Sequence, residues 1–590
     1  MAEALISPGV FLRENDLSQI TAGPITVGSA LIGPTVVGKV NIPTLVTSYS
    51  EYKAKYGTTF ISGGNTQEYL TSQAAYNYFQ QGGTSLLVTR VASGSYTAAT
   101  SSMVVNSLGS ASFQINTLSV GTVMNNSLGA TTATNGLLPS GSANNVRWQI
   151  TQADSASGYF TLLVRQGNDY TQGQTVLETW TNLSLDPNQN NYIAYVIGDQ
   201  DQNVAYDESG AAYLNITGSY PNRSNYIRIS DVFFPTPNYL NPQGQAYAAY
   251  TASIPLNGSG SANGSFGGAN GALYGGLLAN GSASVALNLF EQIPTVAATA
   301  AANNIQGLVN TDYDVAISLL ANQDAYVYNA IYAPGITNQN AASQVSALLS
   351  TVQNRGDAIA VVDMVGYNQA ITTVANGAQS YDNSYGATYW PWVQVRSTET
   401  GRLNFVPAST IIPGVYEYND KVSAEWFAPA GLNRGGLPTV IQPERRLTVA
   451  QRNTLYNAKV NPIAVFPGQG TVVYGQKTLQ ARASALDRVN VRRLLIALKG
   501  YIGQIAETLV FEQNTAVTRN KFLSQVNPYL EYVQQRQGLY AFRVVMDETN
   551  NTPDVIDRNL LVGAIYLQPT RTAEYIQLDF NVLPTGVTFG

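Results

Sequence analysis

Apolar residues recur at three- and four-residue spacing from 491 to 509: Val491, Leu494, Leu495, Leu498, Ile502, Ile505 and Leu509. They draw one stripe down a helix of 3.6-residue period. Arg492, Arg493, Lys499, Gln504 and Glu507 fall off the stripe and are expected on an open helix face. A weaker stripe follows through Phe522, Val526, Leu530 and Val533, and Pro528 inside it should end a helix or mark its first turn, because proline removes a backbone donor. Then the period changes to two. Residues 540–546 and 560–567 are rich in β-branched and aromatic side chains, with a loop expected over residues 550–554. The last segment, 574–582, alternates most clearly: Ile576, Leu578, Phe580 and Val582 point one way, and Tyr575, Gln577, Asp579 and Asn581 the other. Such a strand must pair with something.

At the other end, residues 5–20 read as an extended arm. Ser7-Pro8-Gly9 punctuates it, and Val10, Phe11 and Leu12 form a short β-like run. From 25 to 90 the pattern is strand, helix, strand, with strands over 27–32 and 86–88 and helices over 49–56 and 68–79. After Ala92 the composition turns to Ser, Thr, Asn and Ala. Short alternating segments at 113–115, 146–150, 159–164 and 227–229 predict an inserted β-rich domain. Residues 236–285, carrying Asn257-Gly258-Ser259-Gly260, are almost featureless and read as a flexible linker. The α/β pattern resumes after Val285, with apolar strands over 325–336 and 358–364 around a helix stripe of Val345, Leu348, Leu349 and Val352. Continuous apolar strands alternating with helices predict a parallel sheet covered on both faces.

Composition narrows the chemistry. A chain of 590 residues is expected to form two to four domains. Its charged content is 11%, far below the usual quarter. Two readings of such a surface stay open: a neutral particle exterior, or a surface buried against copies of itself. The net charge of -6 gives no drive toward nucleic acid. The sequence has no Cys and no His, which excludes disulfides, Ser-His-Asp and Cys-His triads and most zinc chemistry. The first six residues lack a secretory pattern, and no apolar run reaches membrane-spanning length. A soluble product made in a cytoplasm, without Sec export, is the expectation.

Four local patterns invite functional readings. Asp363 ends an apolar strand, where α/β enzymes place carboxylates, but capping of the next helix is the better expectation. Residues 470–478 resemble a phosphate loop, yet Gln476 separates Gly475 from Lys477 and Val472-Val473-Tyr474 reads as strand, so nucleotide binding is rejected. Tyr389, Trp390 and Trp392 suit a glycan platform less well than core packing. Arg492, Arg493 and Lys499, with Arg482 and Arg488 before them, form the nearest approach to a basic patch.

Asn461-Pro462-Ile463, Gly468-Gln469-Gly470, Tyr474-Gly475-Gln476-Lys477-Thr478 and Val489-Asn490-Val491-Arg492-Arg493-Leu494 together resemble the C-terminal domain of contractile tail sheath proteins of the bacteriophage (myovirus) type. Upstream blocks fall in the same family order: residues 384–393, Val406-Pro407-Ala408-Ser409, Pro413-Gly414-Val415-Tyr416 and Ala428-Pro429-Ala430. The resemblance covers roughly residues 1–92 and 290–590. It implies an α/β plus α+β chain. A subtilisin-like α/β domain (23–92 and 286–460) would be interrupted by an inserted β-rich, sandwich-like domain (93–285). An α+β C-terminal domain (461–572) would follow, completed by strand exchange between subunits. The exchanging segments would be the arm 1–22, through Val10, Phe11 and Leu12, and the strand 573–590, through Ile576, Leu578, Phe580 and Val582, with hinges around 16–23 and 568–572. The resemblance further implies a non-enzymatic helical homopolymer without cofactor, catalytic or metal site. It would assemble in the host bacterial cytoplasm around a tail tube, meet baseplate and tail terminator proteins, contract to drive the tube through the host envelope, and contact no nucleic acid or membrane directly. Arg492, Arg493 and Lys499 would face the tube. A bacteriocin-like or secretion-particle sheath, and a virion surface protein whose insertion binds host glycans, are the alternative readings.

Overall fold

The computed structural model describes residues 25–577 except 63–64, 93–95, 102–103, 122–123, 125–142, 170–171 and 259–307. Its organising element is an eight-stranded sheet in the order Thr44–Val46, Leu86–Arg90, Ile25–Gly33, Tyr326–Thr337, Ile359–Asp363, Gly386–Trp390, Val460–Phe466 and Gly470–Val473. The six inner strands pair in parallel and the two outer strands join antiparallel. Every residue of Leu86–Arg90 and Ile359–Asp363 is buried, which is why these strands read as unbroken apolar runs. Helices Tyr49–Tyr56, Leu70–Gln80 and Ile412–Val422 bury Tyr52, Tyr56, Ala74, Val415 and Tyr416 against one face. Helices Asn338–Arg355 and Ile371–Gln379 bury Val345, Leu348, Val352 and Val374 against the other. Local chemistry sets the helix ends. The Ser48 hydroxyl accepts from the Glu51 amide at 3.1 Å, and Gly356, at φ 74°, takes the left-handed cap that ends Asn338–Arg355.

Between Leu86–Arg90 and Tyr326–Thr337 the chain builds a second, β-rich core. Strands Ala111–Val120, Val146–Asp154, Tyr159–Gln166 and Ile227–Val232 contribute Phe113, Ile115, Trp148, Ile150, Leu162 and Ile229. Inside it, Arg165 grips the Asp169 carboxylate through two hydrogen bonds of 2.8 Å, and Arg147 adds a third contact at 3.1 Å. The segment 236–258 is part of this core, contrary to the linker reading. Tyr239 is buried with its hydroxyl donating to the Ser155 carbonyl at 2.6 Å, and Ile254 is buried beside it. Residues 259–285 of the expected linker lie outside the described residues.

Two further expectations are corrected. The sheet continues past residue 460 to Val473, because Val460–Phe466 pairs with Gly386–Trp390 and carries Gly470–Val473 on its far side. A limit at 460 would cut the sheet. And the helix Ala516–Gln535 runs straight through Pro528. Burial of Phe522 and Val526 before the proline and of Leu530 and Val533 after it outweighs the roughly 3 kcal/mol an interior proline costs.

Candidate interaction site

Beyond the sheet, Val489–Glu507 and Ala516–Gln535 pack through Leu494, Leu498, Ile505, Phe522, Val526 and Leu530. The antiparallel pair Leu539–Val545 and Ala564–Pro569 covers this core with Leu539, Phe542, Val544, Ile565 and Leu567. Tyr540, Arg543, Tyr566 and Gln568 stay exposed. A lone two-stranded pair is marginal in water, so its stability comes from the helices beneath. Among the described residues neither strand has a third neighbour, leaving two open edges. A short helix, Pro553–Asp557, occupies part of the connection expected to be strand and loop, and the second strand starts at Ala564 rather than 560.

From Pro569 the chain runs back toward the sheet. The Thr570 hydroxyl donates to the Gln537 carbonyl at 2.6 Å. The Gln476 amide donates to the Thr572 hydroxyl and, at 3.1 Å, to Glu574. Arg488 grips the Glu574 carboxylate through Nε at 2.7 Å and Nη2 at 3.0 Å, while the Tyr456 hydroxyl donates to it at 2.8 Å. Burial alone would raise the Glu574 pKa, but the hydrogen bonds from Arg488 and Tyr456 hold it below the usual carboxylate value. Immediately beyond, Tyr575 and Ile576 are 81% and 79% exposed.

Of the residues expected to exchange between subunits, Ile576 is thus exposed and in no strand of its own chain. Val10, Phe11, Leu12, Leu578, Phe580 and Val582 lie outside the described residues. The basic patch is corrected. Arg492 and Arg493 are each 4% exposed. Arg492 lies 3.8 Å from the Tyr385 ring and donates to the Ser384 carbonyl at 3.2 Å. Arg493 forms a two-pronged pair with Asp420, 2.9 Å through Nη1, with its guanidinium over the Tyr416 ring. The cause is that the first half of this helix is covered on two sides. Val489 and Ile496 face the sheet core while Leu494 and Leu498 face the helix pair. Lys499 alone of the three is exposed, with Nζ 3.1 Å from the Tyr385 hydroxyl.

Asp363 does not cap the following helix. It is buried and accepts from the Ser409 amide at 3.2 Å and from its hydroxyl, and burial pushes its pKa up to about 7. Gly470–Val473 is a paired strand, and Lys477 donates to the Tyr456 carbonyl at 2.9 Å, so no phosphate cradle exists there. Tyr389, Trp390 and Trp392 are buried. Among the described residues no group of three His, Cys, Asp or Glu side chains is placed to hold a metal ion, and no helix is long and apolar enough to cross a membrane. Sequence reasoning missed the Tyr456, Gln476, Arg488 and Glu574 cluster. The available signal was Glu574 itself, one of only two acidic residues after Asp557.

Residues 306–479 match the family model for the phage tail sheath protein central domain, and residues 482–582 that for the phage tail sheath C-terminal domain. A tail sheath protein of Vibrio phage KVP40 is 37% identical over 265 residues, 44% of this chain and 39% of that protein. A tail sheath protein of Enterobacteria phage T4 is 43% identical over 185 residues, 31% of this chain and 28% of that one. The chain therefore spans less than half the length of these curated relatives. Among solved structures, the sheath tail protein Lin1278 from Listeria innocua is 10% identical and aligns over 89% of each chain with a TM-score of 0.49.

Proposed function

The central and C-terminal regions of this chain belong to the phage tail sheath family, and from that premise we propose that it is the structural subunit of a contractile phage tail sheath. It polymerises helically around the tail tube as a virion component and contracts to drive the tube through the host envelope. One observation carries the reading in physical terms: a two-stranded sheet with both edges open among the described residues, from which the chain continues into an exposed segment. An open edge is an aggregation hazard in a monomer and a joint in a polymer. The arm 1–22 and the strand 573–590 of one subunit add to this sheet in its neighbours, with Val10, Phe11, Leu12, Ile576, Leu578, Phe580 and Val582 as the pairing residues. Main-chain bonds then keep subunits connected while rigid bodies rotate and move outward.

In this reading the α/β body is a subtilisin-like scaffold whose catalytic chemistry is absent, since no His is available to activate a serine. The β-rich insertion decorates it. Lys499 is the candidate contact to the tube, and baseplate and terminator proteins bound the polymer. The work comes from a small gain repeated over the lattice, so the chain is no enzyme and needs no cofactor. Negative-stain electron microscopy of the purified chain, with and without tube protein, tests the reading. Striated hollow cylinders are expected from the intact chain, and folded monomer without cylinders from deletion of residues 1–20 or 573–590. Normal cylinders from either deletion would overturn strand exchange, and dispersed monomer from the intact chain on tubes would overturn the sheath itself.

A further inference from the structure

The hinge expected over 568–572 is a tied segment. Pro569 ends a paired strand, Thr570 is hydrogen-bonded to Gln537 and Gly538, and Thr572 to Gln476. The last fixed point is Glu574, whose two oxygens receive Arg488 Nε and Nη2, the Tyr456 hydroxyl and the Gln476 amide. These partners come from outside the strand pair: Tyr456 from the helix Val449–Asn457 beside the sheet, Gln476 from the turn after Gly470–Val473, and Arg488 from the position before Val489–Glu507. Arg488 is itself steadied by Asp487 at 2.9 Å, and Lys477 lies over the Tyr456 ring at 4.3 Å. A two-pronged arginine–carboxylate pair is directional as well as strong.

We propose that Tyr456, Gln476 and Arg488 form a carboxylate socket that anchors the root of the C-terminal arm on the sheet domain, so that the arm pivots after Glu574 and not between 568 and 572. The inference deepens the sheath reading and rests on it only for what the arm grips. Its consequence is a load path. Tension on an arm held by a neighbouring subunit enters the sheet domain at the socket, bypassing a two-stranded pair that would unzip more readily. The socket also sets the direction in which Tyr575 and Ile576 leave the surface.

The test uses the full-length, unassembled chain, so its result does not depend on whether cylinders form. Arg571 is exposed, but Thr570 and Thr572 on either side of it are hydrogen-bonded to the body, so trypsin, which needs several residues in extended form, should cut the Arg571–Thr572 bond mainly when the root opens. Trypsin cleavage there tracks the open population, so Glu574→Ala should speed it about tenfold or more, the effect of losing a charge-assisted, two-pronged contact. Hydrogen exchange in Val460–Phe466 should stay at the wild-type rate, showing the sheet intact. The exchanged pair Arg488→Glu with Glu574→Arg should recover part of the hydrogen-exchange protection over residues 570–574 that either single change removes, exchange being the readout there because the new arginine would itself be a trypsin site. Cleavage within about twofold of wild type in Glu574→Ala would overturn the socket, because the open population would then not depend on the carboxylate. Normal protection together with failure of the intact chain to form cylinders would instead reject the sheath reading and leave the socket standing.

Discussion

Arg493 decides between two accounts of the basic helix. A guanidinium that meets a tube is dispensable to the fold of the free chain, whereas the observed one is 4% exposed, paired to Asp420 and stacked over Tyr416 at 4.6 Å. Arg493→Met keeps most of the side-chain volume and removes the charge. Asp420 then loses both hydrogen bonds, and Glu417, already pushed up to about 7 by burial and then by Asp420, loses the cation that opposes both. Breaking one partner of a buried pair costs about 3–5 kcal/mol. Because the Asp420 side chain retains 17% exposure, the lower end, about 3 kcal/mol, is expected. Hydrogen exchange in Val489–Glu507 under increasing urea measures this in the unassembled chain. Adding Asp420→Asn should return much of the loss, since the stranded charge disappears with it. If Arg493→Met leaves the helix as protected as wild type yet abolishes assembly on tubes, the internal-pair argument is wrong and the tube-facing one stands.

Lys499→Glu alters an exposed side chain, so the free chain should change by no more than about 0.5 kcal/mol in thermal unfolding, and any defect should appear only on tubes. Asp169→Ala strands Arg147 and Arg165 in the insertion core and should cost about 3–5 kcal/mol there. Exchange should rise in Tyr159–Gln166 but not in Ile359–Asp363. Glu417 binds its proton more tightly folded than unfolded, so its contribution to stability falls as pH rises from its ordinary 4.5 to about 7 and is level above that. Glu417→Gln should flatten that slope, a difference of at most about 3 kcal/mol in the pH dependence of urea unfolding. An unchanged slope would place the titration elsewhere.

Where burial and periodicity agree, the fold was legible. The strands 86–88 and 358–364 carry no polar alternation because both faces are covered, and that pattern announced the parallel sheet. The insertion was legible as β-rich from its short alternating runs. Its last part, 236–258, was not, because Tyr239, Tyr250 and Ile254 enter the core singly between polar residues and leave no period to read. Pro528 misled because local propensity speaks for one turn, while the apolar stripe from Phe522 to Val533 on either side of it speaks for about three. The arginines misled for a related reason. Position off one stripe means solvent only when a helix has one packed side, and Val489–Glu507 has two over its first half. The socket was the least legible feature, since its members stand at 456, 476, 488 and 574 and only the sheet's topology brings them together.

The fate of the charges then bears on how such a chain can assemble. Charged residues make up 11% of the sequence, and several are spent internally: Arg493 on Asp420, Arg147 and Arg165 on Asp169, Arg355 on Asp357, Arg488 on Glu574. The chain as a whole is instead rich in Ser, Thr, Asn, Gln and Tyr, which offer hydrogen bonds and contact area but little long-range force. Exposed ion pairs are worth about 0–1 kcal/mol each and weaken with salt. If subunits share strands as proposed, their lattice would draw its cohesion from those strands and from apolar contact, terms far less sensitive to salt than exposed ion pairs. In that arrangement the register of the exchanged strand would be fixed by its alternating face, while the turning of the bodies would be taken up in the segment between the strand and its root. A sheath that changes length without coming apart would need such a joint, and the proposed arm supplies it by placing its pairing groups beyond the root at Glu574.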